Sequence, residues 1–387
     1  MKQWILGLFP IVLLAGFVAL FFIYGPLGVF MAAFPPVEEL TIERVVLPEP
    51  DQIVLHVING GPDPVTVAQI TVDEAFWKYT TDPENKTIPR LGRMRISIPY
   101  PWVEGDTHEV MILTSTGLTF SKEIAVAIQS PRTDGTYFGT FALLGIYAGV
   151  IPVFLGLLWY PFLRELGSKW LSFFLSLTIG LLAFLAVDML DEALETAEAV
   201  PSAFQGIALV GIGVLGAVLI LFYLSDLKLG SSDQTGAEGR HWTALMIASG
   251  IGLHNLGEGL AIGASYALGE IALGTFLVVG FMLHNITEGL AIVTPVAKDQ
   301  PSISRLVTLG LIAGVPTVLG TWIGGFSYSA IWATLFLAIG VGAILQVIYQ
   351  LLVLFTRKGE TVFTNAYNVS GFFLGLGIMY GTGLLVV

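Results

Sequence analysis

The stretch His254-Asn255-Leu256-Gly257-Glu258-Gly259-Leu260-Ala261-Ile262 recurs as His284-Asn285-Ile286-Thr287-Glu288-Gly289-Leu290-Ala291-Ile292, with seven of nine positions identical. Each copy lies inside an apolar run long enough to cross a bilayer, Trp242–Leu268 and Ile271–Val296. An ionisable side chain costs about 2.5–3.5 kcal/mol or more at the centre of a bilayer, so such groups mark function by default. On a helix, His and Glu four positions apart share one face, and the Asn borders it. The link at 268–270 is short, which predicts antiparallel neighbouring helices, and each His stands about 15 residues from that turn. Two His, two Glu and two Asn then converge near mid-membrane. Imidazole nitrogen, carboxylate and amide oxygen together suit a borderline divalent cation such as Zn2+, Fe2+ or Mn2+. One His–Glu pair alone would serve equally well as a structural bond between helices; two copies at matching depth favour metal.

The rest of the composition agrees with a membrane chain. Of 387 residues, 55% are hydrophobic and 12% charged, and mean hydropathy is +0.80. Soluble domains carry about a quarter charged residues. The net charge of -12 would repel a nucleic-acid backbone. The absence of cysteine excludes disulfides, thiol nucleophiles and Cys-ligated metals.

Working outward from the repeat, the region 136–387 carries eight candidate spans: Tyr137–Trp159, Trp170–Leu190, Phe204–Leu224, the two repeat-bearing runs, Ser304–Phe326, Ile331–Thr356 and Ala366–Val387. Residues 1–36 form a further apolar stretch, Trp4 to Tyr24 and on to Phe34, with no clear cleavage site, and read as an uncleaved signal anchor. Residues 37–131 differ. Short alternating segments such as Ile53 to Ile58, Val65 to Ile70 and Arg93 to Ile98 are punctuated by Asn59-Gly60-Gly61-Pro62 and Glu104-Gly105-Asp106. This spacing predicts a small all-β, immunoglobulin-like sandwich. Its lone histidines, His56 and His108, read as core or surface residues rather than metal ligands. The expected fold is therefore a mainly α membrane protein, one N-terminal helix and a sandwich preceding an eight-helix bundle.

Basic residues give the orientation. Lys2, Arg164, Lys169, Lys228, Arg240, Lys298, Arg305, Arg357 and Lys358 all fall on one side, and the short loops 191–203, 266–270 and 326–330 hold none. The eight others lie between Arg44 and Arg132, in a segment long enough to cross regardless of charge. The N-terminus is expected inside a cell membrane, with the sandwich and the C-terminus outside. The second span ends Asp188-Met189-Leu190-Asp191-Glu192-Ala193. Asp188, still within the apolar run, reads as a cation-capture residue, and Asp191 and Glu192 as an acidic entrance.

Two copies of His-Asn-x-x-Glu-Gly on consecutive membrane helices resemble the ZIP family of divalent metal transporters, above all its bacterial branch. The resemblance covers about 136–387. It implies eight helices with both ends outside, and passage of Zn2+ or a related ion toward the cytosol through a binuclear site. It further implies His254, Glu258, His284 and Glu288 as ligands, with Asn255 and Asn285 on the second of two sites. Asp188 stands where the family often has His, and Glu192 matches the Glu of that motif. The chain departs from the family pattern at Gly257 and Thr287, where Pro is common, at Thr317, where a Glu is usual, and at Gln346 and Gln350, where carboxylates are common. These departures leave the second site less anionic, and one tight ion is expected. The partners expected are divalent ions and lipid, with no nucleic acid. The glycine pairs Gly371/Gly375 and Gly377/Gly381 suit intramolecular packing or a homodimer. Transport, and not an enzyme activity, is the leading expectation. The alternatives are a membrane-embedded metal-dependent hydrolase and a non-transporting metal sensor or scaffold.

Overall fold

The computed structural model describes residues 2–24, 37–132, 134–229, 236–267, 271–357 and 365–384. The end of the N-terminal apolar stretch and the 268–270 link lie outside the described residues. The chain is mainly helical with a small antiparallel β region.

Helix α1 (Lys2–Tyr24) is apolar, and its side chains from Leu8 to Phe21 are all exposed, as suits a helix covered by lipid. The β region follows as β1 (Leu40–Glu49), β2 (Gln52–Asn59), β3 (Val65–Val72), β4 (Ala75–Trp77), β5 (Thr80–Asp82), β6 (Thr87–Ile88), β7 (Arg93–Ile98), β8 (His108–Thr114) and β9 (Thr119–Ile124). One sheet runs β1-β2-β7-β5 and the other β4-β3-β8-β9, with β6 on β3. Strand alternation sorts the side chains: in β7, Met94, Ile96 and Ile98 are buried while Arg93 and Arg95 face out. Leu55 and Ile96 of one sheet share a buried core with Ile70 and Ile112 of the other.

The helices that follow are α2 (Gly135–Glu165, interrupted), α3 (Ser168–Glu198), α4 (Gly206–Leu229), α5 (Ala237–Ala267), α6 (Ile271–Val293), α7 (Ile303–Ser327), α8 (Ala330–Arg357) and α9 (Ala366–Gly383). Each stretch predicted as a span beyond 136 falls on one of them. Among the described residues, seven are long and apolar enough to cross a membrane; α9 has 18 residues.

Glycines decide how these helices meet. A Cβ on Gly259 of α5 would sit 2.2 Å from Thr317 O, and one on Gly320 of α7 would sit 2.2 Å from Leu256 O. On the other side, a Cβ on Gly289 of α6 would sit 2.2 Å from Val153 O, and one on Gly156 of α2 would sit 2.1 Å from Ile286 O. Each glutamate of the repeat is thus followed by a glycine that lets a neighbouring backbone touch. Gly371 and Gly375 bring α9 onto α3 in the same way, against Phe173 O and Leu177 O.

The two supporting helices are themselves related. Gly145-x-x-Ala148-Gly149-Val150 of α2 matches Gly310-x-x-Ala313-Gly314-Val315 of α7, and Pro152-x-x-Leu155-Gly156 matches Pro316-x-x-Leu319-Gly320. The α2 copy has one extra residue, Ile151, and is wound as a π-turn over Ile146–Val150, the usual way a helix absorbs a single insertion.

Among the described residues, side-chain hydrogen bonds tie the β region to the helices at two points. The Glu39 carboxylate accepts from Ser202 N at 2.8 Å and from the Ser202 hydroxyl. Arg44 Nη1 donates to Phe326 O at 2.8 Å, at the end of α7.

The glycine contacts are made by backbone, which cannot yield. Gly156→Ala and Gly289→Ala are each expected to lower stability by about 1–3 kcal/mol. Gly377→Ala, which meets open space, is expected to leave the thermal midpoint unchanged or slightly raised. Thermal unfolding of the detergent-solubilised chain checks both.

Candidate metal-binding site

The four His and Glu of the repeat are buried together between α5 and α6, each less than a tenth exposed. Glu258 sits at the centre. Its Oε1 meets His284 Nε2 directly and lies 2.9 Å from His254 Nε2, and its Oε2 accepts from Asn285 Nδ2 at 2.9 Å. His254 Nε2 makes no hydrogen bond despite that short approach. One ligand atom from each of His254, Glu258 and His284 lies within 4.8 Å of the others, as a shared ion needs. The two imidazole rings are 6.1 Å apart.

Glu288 completes the group differently. Its carboxylate is 3.8 Å from His254 Nε2, and both its oxygens are buried with no hydrogen-bond partner. A buried carboxylate with no partner is costly, and a cation is the partner that would remove the cost. The residues present therefore fit a divalent ion: two imidazole nitrogens, two carboxylates and, at the edge, two amide oxygens. Asn255 Oδ1 and Asn285 Oδ1 are also buried without partners.

The asparagines are held by the supporting helices. Asn255 Nδ2 donates to Ala313 O of α7 at 3.1 Å, and Asn285 Nδ2 donates to Ala148 O of α2 at 2.9 Å. Ala148 and Ala313 are equivalent positions of the second repeat. Pro152 has no N–H for the carbonyl four residues back, which is that of Ala148, and the Asn285 amide donates there instead.

Asp188 makes no hydrogen bond or ion pair with this group among the described residues, although it lies close enough for its charge to act on His254, His284 and Glu258. It is exposed, beside Asp191 on a surface groove lined by Phe184, Val187 and Leu194. Met189, one step round α3, points inward instead: it is buried, and its Sδ lies 3.2 Å from His254 Nδ1. Sequence reasoning passed over it because a methionine in an apolar run looks like packing. Its thioether meets the imidazole at Nδ1, the nitrogen turned away from Glu258, and so positions the ring. Glu192 is half-buried near the C-terminal end of α3. The Tyr328 phenol there is pushed up by burial, with the Glu192 charge adding to the effect.

Of the positions where the chain departs from the pattern it resembles, Gly257, Thr317 and Gln346 are buried, Thr287 and Gln350 are half-buried, and none is charged. Gly257 faces Leu337 and Met189, where a Cβ would clash at 2.8 Å with Leu337 Cδ2. Thr317 is fully buried with its hydroxyl unpartnered, against Gly149 of α2. Both amide atoms of Gln346 are buried without partners.

In the β region, His108 belongs to a separate cluster. Its Nδ1 meets Asp73 Oδ2 at 2.7 Å, where the Tyr100 hydroxyl also donates at 2.7 Å. Burial alone would raise the Asp73 carboxyl; the bonds from Tyr100, the Glu109 N–H and His108 outweigh it and hold the group below its usual range. Tyr100 is pushed up to about 12 by burial and by that carboxylate. The cluster joins β8 to the β3–β4 turn and reads as structural.

No protein-family model matches the chain, and no curated protein matches it.

Calorimetric titration of zinc into the purified chain separates these placements. Glu258→Ala is expected to abolish tight binding, and Asp188→Asn to leave it within about threefold. Met189→Leu is expected to weaken binding about tenfold, the size usual for residues that orient a ligand.

Proposed function

We propose that this chain is a transporter of divalent transition-metal ions, with Zn2+ or a related ion as its cargo, similar in its repeat to the ZIP family. The observation that carries the reading is the buried His254–Glu258–His284 group with the Glu288 carboxylate beside it, which accepts no hydrogen bond, in a bundle of membrane-length helices. An acid and imidazole set of this kind is costly in lipid and has a use there as a stop for a cation in passage. In the proposed arrangement α2 to α9 are eight spans and the β region is an immunoglobulin-like domain outside. The N-terminus lies inside, following the distribution of basic residues. Ions enter near Glu192, bind between the two repeats, and leave toward the cytosol. Glu258 and the two histidines form the tighter site. Glu288, with Asn255 and Asn285, offers a weaker one.

The packing supports a division of labour. Helices α5, α6, α7 and α2 hold the site through glycine contacts, whereas α3, α4, α8 and α9 pack mainly on one another, with α8 also touching α5. Movement of the site-bearing set past the other set is the expected way to expose the ion alternately to each side. Metal binding displaces protons from the same donors, so uptake falls as the outside is acidified.

A hydrolytic reading has one observation in its favour: a free carboxylate, Glu288, beside metal donors could act as a general base. Flux separates the two. In proteoliposomes, wild type is expected to accumulate zinc, and Glu258→Ala and Glu288→Ala to lose at least tenfold of the initial rate. Equal uptake by all three removes the transport reading.

A further inference from the structure

A cavity of about 540 Å³ lies where the β region meets the outer ends of the helices. Arg44, His56 and Arg93 line it from the β region; Tyr328, Ser329 and Trp332 line it from the turn between α7 and α8. Its charge is of the opposite sign from the acidic metal path. Arg93 is balanced by Glu43, with Arg93 Nε 3.3 Å from Glu43 Oε2. Arg44 is not balanced. Its guanidinium is half-buried, its one described bond is to the Phe326 carbonyl, and it forms no ion pair among the described residues. A part-buried guanidinium with spare donors and no anion is an unfinished interaction.

The other wall supplies matching donors. Ser329 Oγ is buried without a hydrogen-bond partner. Residues 327–333 include the first turn of the 28-residue helix α8, which carries no acidic side chain there. The first amides of a helix have no partners within it and favour negative charge. His56 is held below its usual range by burial and by Arg44 and Arg95; it is neutral near pH 7 and can still donate one N–H. The Arg44 guanidinium, Ser329 and a helix start thus line one half-open cleft from two sides.

We propose that this cavity binds a small oxyanion, a carboxylate or a phosphate, held on Arg44 and Ser329 at the seam between the β region and the membrane helices. The inference does not depend on the metal reading. The anion has two sources: a free solute, or the phosphate of an acidic lipid headgroup, since the cavity lies at the outer helix ends. Bound there, it would join the β region to the α7–α8 turn by charge-assisted bonds from both.

The test uses the purified full chain. In non-ionic detergent after delipidation, inorganic phosphate and citrate are titrated by calorimetry, with chloride at equal ionic strength as the control. In parallel, thermal midpoints are compared in nanodiscs of phosphatidylcholine with and without phosphatidylglycerol. A free-solute site gives saturable phosphate or citrate binding, weakened at least tenfold in Arg44→Gln and severalfold in Ser329→Ala. A lipid site gives a higher midpoint with phosphatidylglycerol in wild type and no such rise in Arg44→Gln. If Arg44→Gln does not fold, as judged by circular dichroism and gel filtration, Ser329→Ala carries the same comparison. Wild type that binds neither anion nor responds to phosphatidylglycerol overturns the proposal. So does binding that is unchanged in the folded variants.

Discussion

Everything at the buried site depends on backbone touching backbone. Gly259 against Gly320, and Gly289 against Gly156, let α5 and α6 each lie in contact with a supporting helix. Only at that distance can the Asn255 and Asn285 amides reach the carbonyls of Ala313 and Ala148. Those bonds fix the rotation of α5 and α6, and the rotation turns His254, Glu258, His284 and Glu288 toward one another. A methyl group at any of the four glycines would part the helices before it disturbed a single donor atom.

The two repeat copies are nearly identical in sequence and unequal in use. Glu258 is surrounded: two imidazoles and the Asn285 amide reach its oxygens. Glu288 has no hydrogen-bond partner. The difference arises from the neighbours. Asn285, tied to Ala148 in the π-wound part of α2, also donates to Glu258, whereas the Asn255 amide donates to Ala313 and only approaches Glu288. One inserted residue, Ile151, thus accompanies a pair of sites that share a motif and differ in surroundings.

Much of this was legible in the residues. The repeat declared the site because charge in an apolar run is rare, and helical spacing placed His254 with Glu258 and His284 with Glu288 on common faces. Alternation in β7 and β8 declared strands. The second repeat was hidden because Ile151 breaks the register between Val150 and Pro152, so matching without a gap finds only half of it at a time. Met189 was hidden for a different reason. Polarity pointed to the carboxylate, but the side of α3 that faces His254 is set by how α3 packs against α8, where Met189 fills the space over Gly340. No local pattern carries that information. The cavity at Arg44 was equally invisible, since its walls lie nearly 300 positions apart along the chain (Arg44 and Ser329).

The two ties of the β region fall on different sets of helices: Glu39 holds the loop between α3 and α4, and Arg44 holds the end of α7. Between them lie four residues of nearly extended chain, five steps or about 17 Å at the rise of a strand. An extended strand braced by its sheet does not lengthen. The two rims it joins therefore keep a fixed spacing while both ties hold, so a displacement along the membrane normal must swing the whole β region like a hinged strut.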